Sequence, residues 1–164
     1  MKKLFMLMAF VAMFITASAQ DAGMKWYADA DMSFQIPEDF NVKDSDDDSF
    51  FAKGADDFGE IFAMLTTYAT EMSVDYMNEH MLMDKNNAEL DGWKCEDPVI
   101  KGNVITMRSL GEEEADDAKV KAVKMYFRVK SGKKHLSGYI MFKQDEEAKM
   151  KPLFEKMLTS IEIN

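Results

Sequence analysis

The chain has 164 residues, with 30 acidic against 20 basic side chains and a net charge of −10. A field of that sign repels phosphate backbones and anionic lipid headgroups, so neither nucleic acid nor an anionic lipid surface is an expected partner. The length suits one domain that buries enough of its own surface to fold without a metal or disulfide staple.

The first 19 residues have the order of a secretory signal peptide. Lys2 and Lys3 precede the apolar run Leu4–Ile15, and a small-residue motif ends at Ala19. The run is too short to cross about 30 Å of hydrocarbon, so we predict cleavage rather than a membrane anchor. Residues 20–164 are then a single domain, exported to the periplasm or beyond the cell, with no integral membrane segment.

Cys95 is the only cysteine, so no intramolecular disulfide is possible. It lies far from the leader, which excludes the thioether-linked lipid of bacterial lipoproteins. Trp93 and Cys95 share one face of a predicted strand. A small core residue is the expected role for such a cysteine.

Alternating apolar and polar residues predict seven main strands. In chain order they are Met32–Ile36, Ser49–Lys53, Glu60–Tyr68, Gly92–Cys95, Val104–Leu110, Val120–Lys130 and Leu136–Lys143. The third has apolar residues on both faces and is expected to be covered on both sides. In the sixth, Val123, Met125, Phe127 and Val129 alternate with polar side chains, which indicates a half-exposed strand.

Two helices are predicted among these strands. Ser73 is a candidate N-cap for a helix that runs to about Lys85, with Asn86-Asn87 as its stop and Val74, Met77 and Met81 as its buried stripe. A second helix spans Glu146–Thr159. Pro152 predicts either a turn before it or a kink at it.

Turn-forming and charged residues separate the strands. The acidic run 111–117 is expected to form an exposed hairpin tip, and residues 131–134 a second hairpin turn. A short extended segment, 160–163, closes the chain. The order predicts an α+β fold, an antiparallel sheet of about six to seven strands with helices packed on its faces.

Both ends of the domain resemble the Mog1/PsbP-like group and its bacterial relatives. Phe34-Gln35-Ile36-Pro37-Glu38-Asp39-Phe40 resembles the group's opening F-x-I-P-x-x-F, and the segment 153–161 is similar to its closing helix and strand. The resemblance implies an α/β/α sandwich. It implies no activity, because the group ranges from a GTPase-binding protein to an extrinsic photosystem subunit, and no functional motif of either is found here.

An aspartate-rich stretch is the first candidate metal site. Asp44, Asp46 and Asp48 match the first, third and fifth ligand positions of an EF-hand loop. Ser49 replaces the glycine of that loop, and Ala55 replaces its bidentate glutamate. The interpretation is a solvated turn, with a weak Ca²⁺ site as the alternative.

Methionine, with 16 copies, supplies the second candidate. Met77, His80 and Met81 fall on one face of the first predicted helix, and thioether and imidazole ligands suit Cu(I). Core packing by Met77 and Met81 is the competing interpretation.

No G-x-S-x-G, H-E-x-x-H, Walker or G-x-G-x-x-G motif is found, and His80 and His135 are the only histidines. We therefore predict no catalytic residues and no cofactor. Tyr126, with Lys124 and Arg128 on the polar face of its strand, is the candidate binding surface, although the C-terminal helix is an alternative cover for it. The expected function is a non-enzymatic envelope domain with a protein partner. The alternatives are an envelope metal-binding protein and a small enzyme.

Overall fold

A computed structural model describes residues 23–45, 48–115 and 118–164. The predicted export signal and Asp46 lie outside the described residues. The helices are α1 (Val74–Leu90) and α2 (Glu147–Thr159). The strands are β1 (Met24–Ala28), β2 (Met32–Pro37), β3 (Asn41–Ser45), β4 (Ser49–Lys53), β5 (Glu60–Thr67), β6 (Lys94–Cys95), β7 (Val99–Lys101), β8 (Val104–Ala115), β9 (Ala118–Ser131), β10 (Lys134–Lys143) and β11 (Glu162–Ile163).

The described strands form two antiparallel sheets. The large sheet has eight strands in the order β3-β4-β5-β10-β9-β8-β6, with β7 also paired to β8. The small sheet has the order β1-β2-β11. The predicted α+β class, antiparallel pairing and helices on the sheet are confirmed. The strand count exceeds the six to seven expected, since short edge strands carry too few residues to show an alternation.

The main core lies on the inner face of the large sheet, beneath the small sheet and α2. Tyr27, Phe34 and Phe50 form an aromatic cluster there, with ring centroids 4.4 to 5.3 Å apart. From α2, Phe154 packs 6.2 Å from Phe127 of β9. The predicted inward face of β9 is confirmed, because Val123, Met125, Phe127 and Val129 are all buried in this core.

A second layer joins α1 to the outer face of the large sheet, where the helix contacts β6, β8 and β9. Methionine supplies most of it, as the buried members are Met72, Met77, Met81, Ile105 and Met107. We call this group the methionine layer. The predicted packing role of Met77 and Met81 is therefore confirmed, and flexible thioethers fill the space between helix and sheet.

The first helix is longer than predicted. Its N-cap is Ser73, whose Oγ accepts a hydrogen bond from the Tyr76 amide at 3.1 Å. Asn86 and Asn87 do not stop it, and it continues to Leu90 because Ala88 is buried against Trp93. Gly92, at φ 88°, supplies the left-handed residue that the C-terminus requires.

Most of the acidic run is strand, and its last two residues, 116 and 117, lie outside the described residues. Residues 112–115 continue β8, and Glu112 and Glu114 stand opposite Lys121 and Lys119 of β9. The attraction between these opposite charges on β8 and β9 stabilises the end of β8, where the neighbouring carboxylates repel one another. In the second helix, Pro152 lies inside α2, and a 3-10 turn, Gln144–Glu146, precedes that helix.

None of the helices in the described part of the chain is long and apolar enough to cross a bilayer.

Candidate binding surface

An aromatic row crosses the outer face of the large sheet. Phe51 of β4 stands opposite Phe62 of β5, Phe62 opposite Tyr139 of β10, and Tyr139 opposite Tyr126 of β9. The Tyr139 ring centroid lies 6.0 Å from that of Phe62 and 5.9 Å from that of Tyr126. Since side chains alternate along a strand, the neighbours of these rings in sequence face the core.

The part of this row on β4, β5 and β10 has no helix over it among the described residues. We call this part of the sheet the open face, and its residues are Phe51, Phe62, Met64, Ser137 and Tyr139. Met64 is 44% exposed although it lies on an interior strand of the large sheet. The predicted cover on both sides of β5 is confirmed for one side, where Ile61, Ala63 and Leu65 are buried. On the other side Tyr68 packs against the methionine layer, but Met64 is open to solvent.

An acidic cleft of about 250 Å³ lies at one end of the open face. Its lining residues are Lys53, Asp56, Asp57, Phe58, Glu60, Glu113, Glu114, Ala115 and Met141. Lys53 Nζ is 2.9 Å from Glu60 Oε2, and Lys143 Nζ is 2.6 Å from Asp56 Oδ2. Asp57 and Glu114 form no ion pair with a described residue, so the cleft keeps negative charge.

Tyr139 links the open face to the cleft. Its hydroxyl donates a hydrogen bond to Glu60 Oε1 at 2.7 Å. Burial and this bond to a carboxylate raise the pKa of Tyr139 above its usual value. Burial alone would raise the pKa of Glu60, but the hydrogen bonds from Lys53 and Tyr139 outweigh it and lower that pKa. Both groups therefore hold their usual charges at neutral pH, tyrosine neutral and glutamate ionised.

Of the three residues proposed from sequence, Lys124 is enclosed rather than presented to solvent. Its Nζ lies 2.8 Å from Glu113 Oε1 and 4.3 Å from the centroid of the Trp93 ring. The ring in turn lies against Gly111, where an added Cβ would come within 2.4 Å of it. A glycine at this position lets the indole reach the strand and hold the ammonium group.

Tyr126 and Arg128 lie beneath and beside α1. Tyr126 packs against the methionine layer, so its cover is α1 and not the C-terminal helix, which lies on the other face. Burial raises its pKa to about 12. Arg128 is 12% exposed and places Nη2 2.6 Å from Asp84 Oδ2 of α1. These two side chains attach the helix to the sheet.

His135 is a buried histidine near this ion pair. It is 2% exposed, and its Nε2 has no hydrogen-bond partner among the described residues. Its ring lies 6.4 Å from that of Tyr68. Burial, together with the nearby charges of Arg128 and His80, lowers its pKa to about 4. At neutral pH the imidazole is therefore uncharged.

Acid is expected to destabilise the fold through His135. Above pH 6.5 the imidazole is neutral in both the folded and unfolded chain, so it adds no pH dependence. Between 6.5 and about 4 the unfolded chain binds the proton and the folded chain does not, so stability falls with pH by about 3 kcal/mol in all. Below about 4 both states bind it and the loss is complete.

The measurement is the unfolding free energy from urea titrations between pH 7 and pH 4, in the wild type and in His135→Gln. Carboxylates titrate in both proteins, so the difference in slope isolates the histidine. The unfolding free energy of His135→Gln is expected to fall less on acidification than that of the wild type. Equal slopes would show that His135 is not held neutral by its surroundings.

The metal candidates proposed from sequence are dispersed. Met77 and Met81 are fully buried in the methionine layer, whereas the His80 ring packs against Tyr76 on the flank of α1, 4.6 Å between centroids. Asp44 lies in β3 and Asp48 just before β4, both exposed. Within the described residues, no group of three or more histidine, cysteine or acidic side chains is placed to hold a metal ion.

Cys95 is half-buried at the edge of the methionine layer, with Sγ 3.8 Å from the Lys85 carbonyl oxygen. Burial raises the pKa of its thiol. The protonated thiol is a poor nucleophile, which agrees with a packing role.

Sequence reasoning missed the open face. The signal for it is the width of the layers: seven strands side by side at about 4.8 Å spacing are far wider than one helix of about 10 to 12 Å. Because α2 and the small sheet share the inner face, α1 is the one described helix left for the outer face. It covers only part of it.

No protein-family model and no curated protein matches the chain. Among solved structures, cyanobacterial PsbP (CyanoP) from Synechocystis sp. PCC 6803 aligns with a TM-score of 0.56 at 10% identity, covering 90% of this chain and 96% of that one. LpqN of Mycobacterium tuberculosis, involved in cell envelope biogenesis, aligns at 0.47 and 10% identity over 86% and 90% of the chains.

A protein from Bacteroides thetaiotaomicron aligns with a TM-score of 0.54 at 13% identity. The alignment covers 81% of this chain but 45% of the other, so this chain spans less than half of that protein's length. The similarity to CyanoP extends over nearly all of both chains. The fold of this protein is therefore that of the Mog1/PsbP-like group.

Proposed function

We infer that the protein is a non-enzymatic binding domain of the cell envelope, and that its open face docks a protein partner. The observation that carries this is the exposure of Met64, at 44%, beside half-buried Phe51 and Phe62, on two strands whose inward residues, Phe50, Ala52, Ile61, Ala63 and Leu65, are all buried. Covering such side chains gains about 25 cal/mol for each Å² of apolar surface removed from water. Aromatic and methionine side chains are also enriched at protein interfaces.

The shape favours a protein over a small molecule. The open face is a sheet surface, and the adjoining cleft of about 250 Å³ is below the roughly 300 to 1,000 Å³ of ligand pockets. The cleft is lined largely by carboxylates, where ligand pockets are mostly apolar. The net charge of −10 also disfavours an anionic lipid surface as the occupant.

Export supports an envelope location. The leader of two lysines, an apolar run and a small-residue motif predicts delivery out of the cytoplasm. The absence of a recognisable catalytic motif in the sequence supports binding rather than catalysis as the role of the domain.

Site-specific crosslinking tests the docking surface. A photoreactive amino acid replaces Met64 in one strain and Val99 in another; Val99 is 50% exposed and lies on β7 at the other end of the large sheet. We expect a discrete adduct with one envelope protein, identified by mass spectrometry, from position 64 and not from position 99. Adding Phe62→Asp is expected to abolish it, since a carboxylate would be buried at the contact.

Circular dichroism of each variant checks that the domain is folded. Equal adducts from both positions, or an adduct that persists with Phe62→Asp, would contradict docking at the open face.

A further inference from the structure

The open face has the width of one helix. It spans β4, β5 and β10, whose outer strands are about 10 Å apart at the usual strand spacing. Two packed helices lie 8 to 10 Å apart, so a helix on these strands would lie in contact with α1. The outer layer of the large sheet thus contains α1, and the open face beside it has room for a second helix.

The flank of α1 that overlooks this place carries exposed apolar side chains in every second turn. Tyr76, Met83 and Leu90 recur every seven residues and are 42%, 58% and 86% exposed. Residues at this spacing share one helix flank, together with His80, which is four residues from Tyr76. On the opposite flank of α1, Lys85 pairs with Asp97 and its carbonyl oxygen accepts a hydrogen bond from Cys95 Sγ of β6, at the far edge of the sheet. The flank with Tyr76 and His80 therefore faces β10 and the open face.

The surplus charge around the open face is negative. The cations nearest to it are already paired: Lys53 with Glu60, Lys124 with Glu113 and Arg128 with Asp84. Among the described residues, Asp57 and Glu114 at the cleft and Glu79 on α1 have no ion pair. The surplus is negative, as is the net charge of −10.

We propose that the open face binds a basic amphipathic helix of the partner protein, lying alongside α1 with its apolar side on Met64 and Met83 and its cations towards the acidic cleft. This rests on the proposed docking function and names the partner's recognition element. A second copy of this chain would bring like charge to the same place, and so would an anionic membrane.

A synthetic peptide tests the proposal directly. The probe is a labelled helix of 17 residues, the length of α1, with leucine on one side and lysine on the other. Fluorescence anisotropy measures its affinity for the purified protein. A scrambled peptide of the same composition keeps the charge and loses the apolar side, and we expect it to bind at least about tenfold more weakly.

Matched substitutions locate the site. Met64→Glu and Met83→Glu place a charge on the two walls of the proposed site. Leu82→Glu, on the opposite flank of α1, and Val99→Glu, on β7, are the controls, at 40% and 50% exposure. All four substitutions add one negative charge, so the nonspecific attraction of the lysine-containing peptide rises equally in all four variants. The first two are expected to lower affinity about tenfold, and the controls to change it less than about twofold.

Equal affinity in all four variants, or equal binding of the scrambled peptide, would overturn the proposal. A concentration-dependent dimer in sedimentation that Met64→Glu dissociates would also overturn it, in favour of a second copy. Crosslinks at position 64 combined with failed peptide binding would reject the basic helix and leave the docking function standing. Site-specific peptide binding without crosslinks at position 64 would reject the docking function in the cell.

Discussion

Replacing Gly138 by alanine is expected to lower the free energy of unfolding by at least about 3 kcal/mol, the upper end of overpacking costs. An alanine Cβ at this position would lie 2.0 Å from the Phe62 carbonyl oxygen and 2.8 Å from Ala63 Cα. Both atoms belong to the backbone of β5, so no side-chain rotation relieves the clash. The strands β5 and β10 would have to separate in the middle of the large sheet.

Gly54→Ala is the control, because its Cβ would meet nothing closer than 3.4 Å and its φ is not in the left-handed region. We expect that variant to stay within about 1 kcal/mol of the wild type. Urea denaturation monitored by circular dichroism measures both. A loss below about 1 kcal/mol for Gly138→Ala would mean that the two strands do not approach as closely as described.

Removing the Phe50 ring is expected to cost about 3 to 5 kcal/mol, because Phe50→Ala empties a fully buried site. The ring packs within 4.4 Å of Tyr27 and 5.1 Å of Phe34, centroid to centroid. It therefore joins β4 of the large sheet to the small sheet. The loss has two parts, the apolar contact itself and the cavity left between the sheets.

The adjacent residue provides the matched control. Phe51 is half-buried and points to the open face, so Phe51→Ala removes the same ring from the opposite side of the same strand. We expect a loss of about 1 kcal/mol or less, measured in the same denaturation series. A loss for Phe51→Ala as large as that for Phe50→Ala would mean that the open face is covered in solution.

The strands with strong alternation could be predicted from sequence. In β9 the buried and polar positions fall where the pattern placed them, because each strand residue must face either the core or the other side. The N-cap at Ser73 and the buried Met77 and Met81 were likewise predictable, since capping and helical spacing are local properties.

Elements that depend on distant partners could not be predicted in this way. The acidic end of β8 is a strand only because lysines of β9 stand opposite it. The edge strands β3 and β7 have five and three residues, all exposed, so their composition carries no core signal. The hydrogen bonds to a neighbouring strand that define them are not encoded in any short window.

The candidate site shows the same division. The apolar character of both faces of β5 is visible in the sequence, and it predicts that each face is covered. Which face the protein covers itself, and which it leaves open, depends on where α1 and α2 pack. The packing of the layers, and not the type of side chain, decides which face is covered and which is open.

Taken alone, the sequence determined the α+β class, which residues of the main strands face the core and which face away, the acidic charge and the predicted export signal. The tertiary structure decided that Lys124 is enclosed by Trp93 and Glu113, that Tyr126 and Arg128 lie beneath or beside α1, and that Phe51, Phe62 and Met64 have no helix over them. Periodicity specifies which residues share a face. Only the packing of the layers specifies whether that face is covered, because cover comes from residues far away in the chain.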